Sequence, residues 1–424
     1  MKNLQNKSKV QSPSGQSHCG LIALLPVLFF ISCAGNNSSQ TVTSAALSST
    51  AGLAPGVVTM AITPAQNLMP VQIGCGYVVN QPCVTVTICQ PGSKTCQMIP
   101  NILLTTSASG LRINSSALTS LSLSQQQVAG QNLAECLPSS VGPSWGNVEI
   151  ADVYLGGQKI ANLPFQAWNN QDPEIPSGCA SAHDSTSALG INGVLGIGFA
   201  LQDCGASCAS SQASGVYFTC ANGICAPTSA PLNLQVQNPV SSASQDNNGV
   251  VLTFPTVPVS GSHSITGYLI FGIDTKTNNS ASVGPNVIVT DTTGAFAASV
   301  GGQLMSTATI DPAVPSIMLQ LPGSTATCAA LQSAPNSLFA CSDTSLSALL
   351  GSTQSTTPSN EIDFTAANAQ GIFAALNPNL VYPSLVQSQT NNLTLGLPFF
   401  LGRTVFIGFQ GAASPLGTGP YFAF

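Results

Sequence analysis

The chain has 424 residues, enough for two lobes with a core each, and only 22 of them are Asp, Glu, Lys or Arg. Solubility therefore rests on Ser, Thr, Asn, Gln and Gly, a composition that suits an exported β-rich protein better than a cytosolic helical one. Lys2, Lys7 and Lys9 precede Cys33, so the rest of the chain carries five cations against 14 acids, a net charge of −9. Those cations are Lys94, Arg112, Lys159, Lys276 and Arg403, too few and too scattered to neutralise a phosphate backbone, which excludes a nucleic-acid groove.

In chain order, the leading lysines are followed by an apolar run from Gly20 to Ile31, about a dozen residues, against the ~20 that a membrane-spanning helix needs. Residues 1–32 read as a secretory signal. Phe30-Ile31-Ser32-Cys33 resembles a bacterial lipobox, in which a small residue precedes a cysteine that is acylated and becomes the new N-terminus. Phe in the first position is less usual than Leu, and the alternative is a plain cleaved signal. Cys33 is thus the expected lipidation site, with the membrane as a partner through its lipid. The expected location is the cell envelope, anchored at the outer membrane. Residues 33–56 contain almost no large apolar side chains and read as a disordered tether with a reach on the order of 25 Å.

Beyond the tether, short runs rich in Val, Ile, Thr and aromatics alternate with Gly, Pro, Asn and Ser. Val57–Ile62, Cys83–Ile88, Val148–Tyr154, Gly249–Phe254 and Tyr268–Phe271 have the length and alternation of strands. Helical signals are few: Ala329–Gln332, Thr344–Leu350 and Ala366–Leu376, none with a long amphipathic stripe. The break around Gln235–Gly249, with Asn238-Pro239 and Asp246-Asn-Asn-Gly249, divides the chain into a first lobe over 57–238 and a second over 239–424.

Of 14 cysteines, Cys19 falls in the leader and Cys33 at the lipobox. The other twelve are Cys75, Cys83, Cys89, Cys96, Cys136, Cys179, Cys204, Cys208, Cys220, Cys225, Cys328 and Cys341, an even number that argues for disulfides in an oxidising compartment. Cys89–Cys96 and Cys328–Cys341 are the natural local bridges. Cys204, Cys208, Cys220 and Cys225 have near-zinc spacing, but the compartment favours oxidation and no other ligand-like residue crowds the segment. No metal and no cofactor are expected.

Five segments, in order, resemble the signature blocks of pepsin-like aspartic proteases. Ile102-Leu-Leu-Thr-Thr-Ser-Ala-Ser-Gly-Leu-Arg-Ile113 is similar to the apolar strand, Asp-Thr-Gly-Ser-Ser turn and returning strand of that family. Asn192-Gly-Val-Leu-Gly-Ile-Gly198 resembles the block closing the first lobe, and Gly267–Asp274 the opening of the second. Ala308-Thr-Ile-Asp-Pro-Ala-Val314 stands where the second Asp-Thr-Gly belongs, and Leu395–Arg403 resembles the strand near the C-terminus. Gly110-Leu-Arg-Ile113 and Gly396-Leu-Pro-Phe-Phe400 are, more narrowly, similar to an uncharacterised family of bacterial lipoproteins, a domain of unknown function with degenerate turns. The resemblance covers roughly 57–424 and implies a mostly β, bilobal pepsin-like fold with a few short helices.

It also implies what is lost. Peptide hydrolysis in that family needs two carboxylates sharing one proton, one activating water while the other protonates the carbonyl oxygen. Carried over residue by residue, Thr105 occupies the first Asp position and Asp311 the second. A threonine hydroxyl is no base near neutral or acid pH, and a lone carboxylate cannot divide acid and base roles. Ser107 and Ala313 replace glycines, adding a Cβ at each turn. Thr106 keeps a bracing hydroxyl, while its counterpart Pro312 has neither hydroxyl nor N–H. Pro138–Gly146 lacks the flap tyrosine, Trp145 being its aromatic residue, and Leu397 stands where the fifth block usually has Asp.

Plainer readings stand beside these. The strands could belong to an unrelated β protein, Asp311 could be an ordinary turn carboxylate, and Arg112 is better read as a paired or snorkelling side chain than as a substrate clamp. His183 beside Asp184 suggests a serine triad only weakly, since no Gly-x-Ser-x-Gly elbow accompanies them, and His263 lies in a polar loop. The leading expectation is a non-catalytic envelope lipoprotein whose inter-lobe cleft binds a peptide, a cell-wall fragment or another extended ligand. The rivals are an aspartic peptidase pairing Asp311 with Asp152 or Asp291, and a purely structural envelope protein.

Overall fold

The computed structural model describes residues 67–424 apart from 138–143, 170–174, 177–178, 180–188, 282–285, 330–336, 354 and 375–376. The signal, the tether, Cys33, the strand expected at 57–62 and the pair His183 and Asp184 lie outside the described residues.

Strands dominate. In β1 (Leu68–Ile73) Met69, Val71 and Ile73 are buried while Pro70 and Gln72 face out, the two-residue period of a strand with one face on a core. β1 pairs antiparallel with Ile265–Phe271, from the second half of the chain, with Leu68 opposite Ile270. That strand continues through Gly249–Thr253 and Thr404–Gly408 to Tyr421–Ala423, so both ends of the described chain enter one central sheet. Each Val or Ile fully buried there contributes about 1.5–3 kcal/mol relative to exposure.

A single threading occurs twice. β2 (Pro82–Cys89) and β3 (Cys96–Thr105) form a hairpin, and the chain turns at Thr105–Ala108 into β4 (Ser109–Asn114). The strand Gly193–Ile197 then slots between them, parallel to β3 and antiparallel to β4. In the second half Thr307–Ile310, a turn and Ile317–Leu319 receive Asn392–Leu395 in the same way, parallel to the first and antiparallel to the second. The inserted strand must pass hard against the turn, and here glycine is required: a Cβ on Gly196 would lie 2.6 Å from the Ala108 carbonyl oxygen, and one on Gly396 would strike the Ser316 carbonyl.

The strands expected at 83–88, 148–154, 249–254 and 268–271 fall within Pro82–Cys89, Ser144–Leu155, Gly249–Thr253 and Ile265–Phe271, apart from Phe254, which lies just beyond its strand. The helical expectation for Thr344–Leu350 is corrected: Thr344–Gly351 is a strand paired with Asn360–Ala366. Leu346, Ala348 and Leu350 point to the core while Ser345 and Ser347 are exposed, a period of two that the Ser/Leu/Ala composition had masked. Ala329 ends a short strand, Thr327–Ala329, and the remaining residues of that expected helix are outside the described ones. Among the described residues of the stretch expected at 366–376, Ala369–Ile372 is the helical part.

All twelve cysteines are paired: Cys75–Cys83, Cys89–Cys96, Cys136–Cys179, Cys204–Cys208, Cys220–Cys225 and Cys328–Cys341. The four with zinc-like spacing therefore form two disulfides and have no thiolate to offer a metal. Six disulfides fit an exported protein. Among the described residues no helix is long and apolar enough to cross a membrane.

Candidate functional site

Side chains alternate along β3, so Ile102 and Leu104 enter the core while Leu103 and Thr105 face the opposite way. That places the Thr105 hydroxyl at the end of the strand, pointing at the turn after Thr307–Ile310. There it meets Asp311: Thr105 Oγ1 lies 2.9 Å from Oδ2 and 3.0 Å from Oδ1, and its hydroxyl donates to the carboxylate. Two backbone N–H groups also donate to Oδ1, Thr106 from across the interface at 3.1 Å and Ala313 from the turn of Asp311 itself at 3.0 Å. Ser107 closes the ring, its N–H donating to Thr105 Oγ1 at 3.1 Å and its hydroxyl 2.9 Å from the same atom.

Thr105 is 5% exposed and Asp311 6%. Burial pushes the Asp311 carboxyl above the usual carboxylate range, opposed by the N–H groups of Ala313 and Thr106 and the hydroxyls of Ser107 and Thr105. The brace between the turns is one-sided: Thr106 Oγ1 donates to the Ile310 carbonyl at 2.6 Å, and Pro312 has no hydroxyl or N–H with which to return it. Chemically the arrangement is an acid held by three hydrogen-bond donors, with no second acid among the described residues placed to trade a proton.

The remaining candidates are engaged elsewhere. Asp152 bonds Lys159 at 2.7 Å and the N–H groups of Gly92 and Asn162 at 3.0 Å. Asp291 binds the Thr293 N–H and hydroxyl and the Ala295 N–H at 2.8, 2.6 and 2.9 Å. Asp291 serves its own turn, and Asp152 ties its strand to the Cys89–Cys96 hairpin and to the neighbouring strand Gln158–Trp168. His263 is on the surface, Nδ1 2.7 Å from the Pro378 carbonyl oxygen. Trp145 is 1% exposed and meets the edge of Phe218 with centroids 5.5 Å apart, so it is a core residue. Leu397 is fully buried in the short helix Leu397–Phe400, behind which Arg403 lies over the Phe399 ring at 4.9 Å.

Arg112, 4% exposed, is paired: Nη2 donates to Glu135 Oε1 at 2.9 Å and to Asp203 Oδ2 at 3.0 Å, and Nη1 to the Ser109 carbonyl at 3.0 Å. Tyr217 donates its hydroxyl to Asp203 Oδ1 at 2.7 Å and accepts from the Val236 N–H at 2.8 Å. One guanidinium thus faces two carboxylates. Burial first, and the adjacent Glu135 charge second, hold the Asp203 carboxyl well above its ordinary range. Glu135, Asp203 and Tyr217 escaped the sequence reading. The available signal was Glu135 itself, an acid set in the apolar strand sequence Leu133-Ala-Glu-Cys136 in a chain that spends very few charges.

The repeated strand-turn-strand threading, with its two turns meeting at Thr105 and Asp311, defines a two-lobed, pepsin-like, mostly β protein. Residues 63–424 match the family described as "Protein of unknown function (DUF3443)", and the chain belongs to that family. Among solved structures it is similar to the aspartic proteinase from Irpex lacteus, at 14% identity and a TM-score of 0.49, over 84% of this chain and 96% of that one. No curated protein matches.

Proposed function

We propose that this is a non-catalytic, pepsin-like lipoprotein of the cell envelope, anchored through Cys33, in which the turns that would form a reaction centre serve as a clasp between the lobes. The observation behind this reading is the hydrogen bond from Thr105 Oγ1 to both oxygens of Asp311. A water activated between two acids needs one ionised and one protonated carboxyl, and an alcohol supplies neither. Asp311 is instead an acceptor that ties Thr105 and Thr106 of one half to its own turn in the other.

Digestion of casein and of a peptide library from acid to neutral pH tests the reading. Neither the wild type nor Asp311→Ala should cleave; pepstatin-sensitive cleavage lost in Asp311→Ala would overturn it. Radiolabelled palmitate should enter the wild type and not Cys33→Ser; equal incorporation would remove the anchor.

The ligand-holding form of the proposal places a peptide or cell-wall fragment above the clasp, where Ser107 is exposed. Thermal-shift screening against peptides and cell-wall fragments separates it from a purely structural role, which predicts no shift with any of them.

A further inference from the structure

The loop between β1 and β2, residues 74–81, crosses to the other half of the molecule. The Cys75–Cys83 disulfide closes its base. Val78 and Val79, both buried, share one apolar cluster with Leu189 from the first half and Phe339, Ile372 and Tyr382 from the second. Leu103 and Val194 pack on that cluster. Leu103 stands opposite Cys83 on β2 and beside Val194 on the inserted strand, and it precedes Thr105 by two residues. By the alternation of strand side chains, the loop therefore covers the same sheet face from which Thr105 reaches Asp311.

Asn80 latches it. The residue is fully buried at φ 56°, a left-handed conformation that Asn tolerates better than most residues. Its Nδ2 donates to the carbonyls of Pro315 at 2.6 Å and Tyr382 at 2.9 Å, and its Oδ1 accepts from the Tyr382 N–H at 2.7 Å. The Asn80 backbone N–H donates to the Leu380 carbonyl at 2.7 Å. Every one of these partners lies in the second half, and Pro315 follows Asp311 by four residues. The carboxamide engages both the N–H and the C=O of Tyr382, as the backbone of an added strand would. Backbone groups of this kind are what an extended peptide pairs with when it docks along a protein groove.

We infer that the 74–81 loop is a built-in strap occupying one side of the inter-lobe cleft beside the clasp, so that the latched protein takes no extended peptide along that side. The inference rests on reading Thr105 and Asp311 as the floor of a non-catalytic cleft. It narrows the ligand-holding form of that reading: while the strap is latched, a ligand enters from the other side and stops at the clasp.

Native-state hydrogen exchange of the full chain tests the strap without any variant. The Asn80 amide should open with a smaller denaturant dependence than the amides of β3, and a common dependence would overturn the inference, because the loop would then be inseparable core. The probe for the vacated face is a synthetic peptide of residues 74–83 closed by its own disulfide. It should bind Asn80→Ala combined with Val79→Ser at least about tenfold more tightly than the wild type. Equal binding, or binding to neither, would sink the strap. Cleavage of a peptide substrate by the variant would instead sink the non-catalytic reading and leave the strap standing.

Discussion

Thr105 and Asp311 are 206 positions apart in the chain, yet the hydroxyl of one donates to both carboxylate oxygens of the other, 2.9 and 3.0 Å away. The pair stands on two turns of the same construction, each carrying an inserted strand against it. Its free energy is therefore a measure of how firmly the two turns are joined.

Replacing Asp311 with Ala strands the Thr105 hydroxyl and the Thr106 and Ala313 N–H groups in a buried site. The expected cost is about 2–4 kcal/mol in urea unfolding, and Asp311→Asn, which keeps an acceptor, should cost less. Thr105→Val, which removes the hydroxyl donor to Asp311 and the acceptor of the Ser107 N–H at nearly constant volume, should cost about 1–2 kcal/mol. A change below about 0.5 kcal/mol in Asp311→Ala would mean that the clasp contributes nothing.

An acid introduced at position 105 should not create hydrolysis. Thr105→Asp would bring two buried carboxyls together that must share one proton. Ser107, Pro312 and Ala313 would still stand in the turns, with a Cβ at 107 and 313 and no N–H at 312. The expected result is a protein that gains no peptidase activity and becomes less stable than the wild type as pH rises from acid to neutral. Appearance of acid peptidase activity in this single variant would show the turns to be competent after all.

Stability should carry a distinctive pH dependence. Asp203 and Asp311 both have folded-state values raised above their unfolded ones, by burial before any other cause. For a raised carboxyl the native state holds its proton more tightly. Its favourable contribution is complete below the unfolded value, near 3.9, and is lost as pH climbs from there through the folded value. Asp152 and Asp291 act in the opposite sense: burial raises them, but the Lys159 bond to Asp152 and the Thr293 hydroxyl and N–H groups to Asp291 prevail and lower them. Their contribution is lost only as pH falls through their depressed folded values. Unfolding midpoints should thus peak on the acid side of neutrality, and Asp203→Asn should flatten the decline toward neutral pH. An unchanged profile in Asp203→Asn would assign the decline elsewhere.

Arg112→Leu would leave Glu135 and Asp203 facing each other without a cation. A loss of about 3–5 kcal/mol at neutral pH is expected, because an unpaired buried charge is far more costly than the pair it came from. Glu135→Gln in the same chain, or acid pH, should recover part of it. If neither does, the destabilisation arises from lost packing of the guanidinium stem.

Much of the architecture was legible one segment at a time. The alternation in Cys83–Ile88 and Gly249–Phe254 is a local pattern written within a few consecutive residues, and the even set of twelve cysteines is a count along the chain. Thr344–Leu350 reads as a helix in sequence because its Ser, Leu and Ala favour either state, and its pairing with Asn360–Ala366 decides for the strand. Apart from the local bridges Cys89–Cys96 and Cys328–Cys341, which the spacing already suggested, which cysteine meets which, where Arg112 finds Glu135 and Asp203, and how Asn80 reaches Tyr382 leave no period in the chain. These are contacts between sequence-distant groups, specified by the way the sheets bring them together after folding, so residue types alone determined that a buried acid and a buried cation needed partners, and only the tertiary structure decided which ones they have.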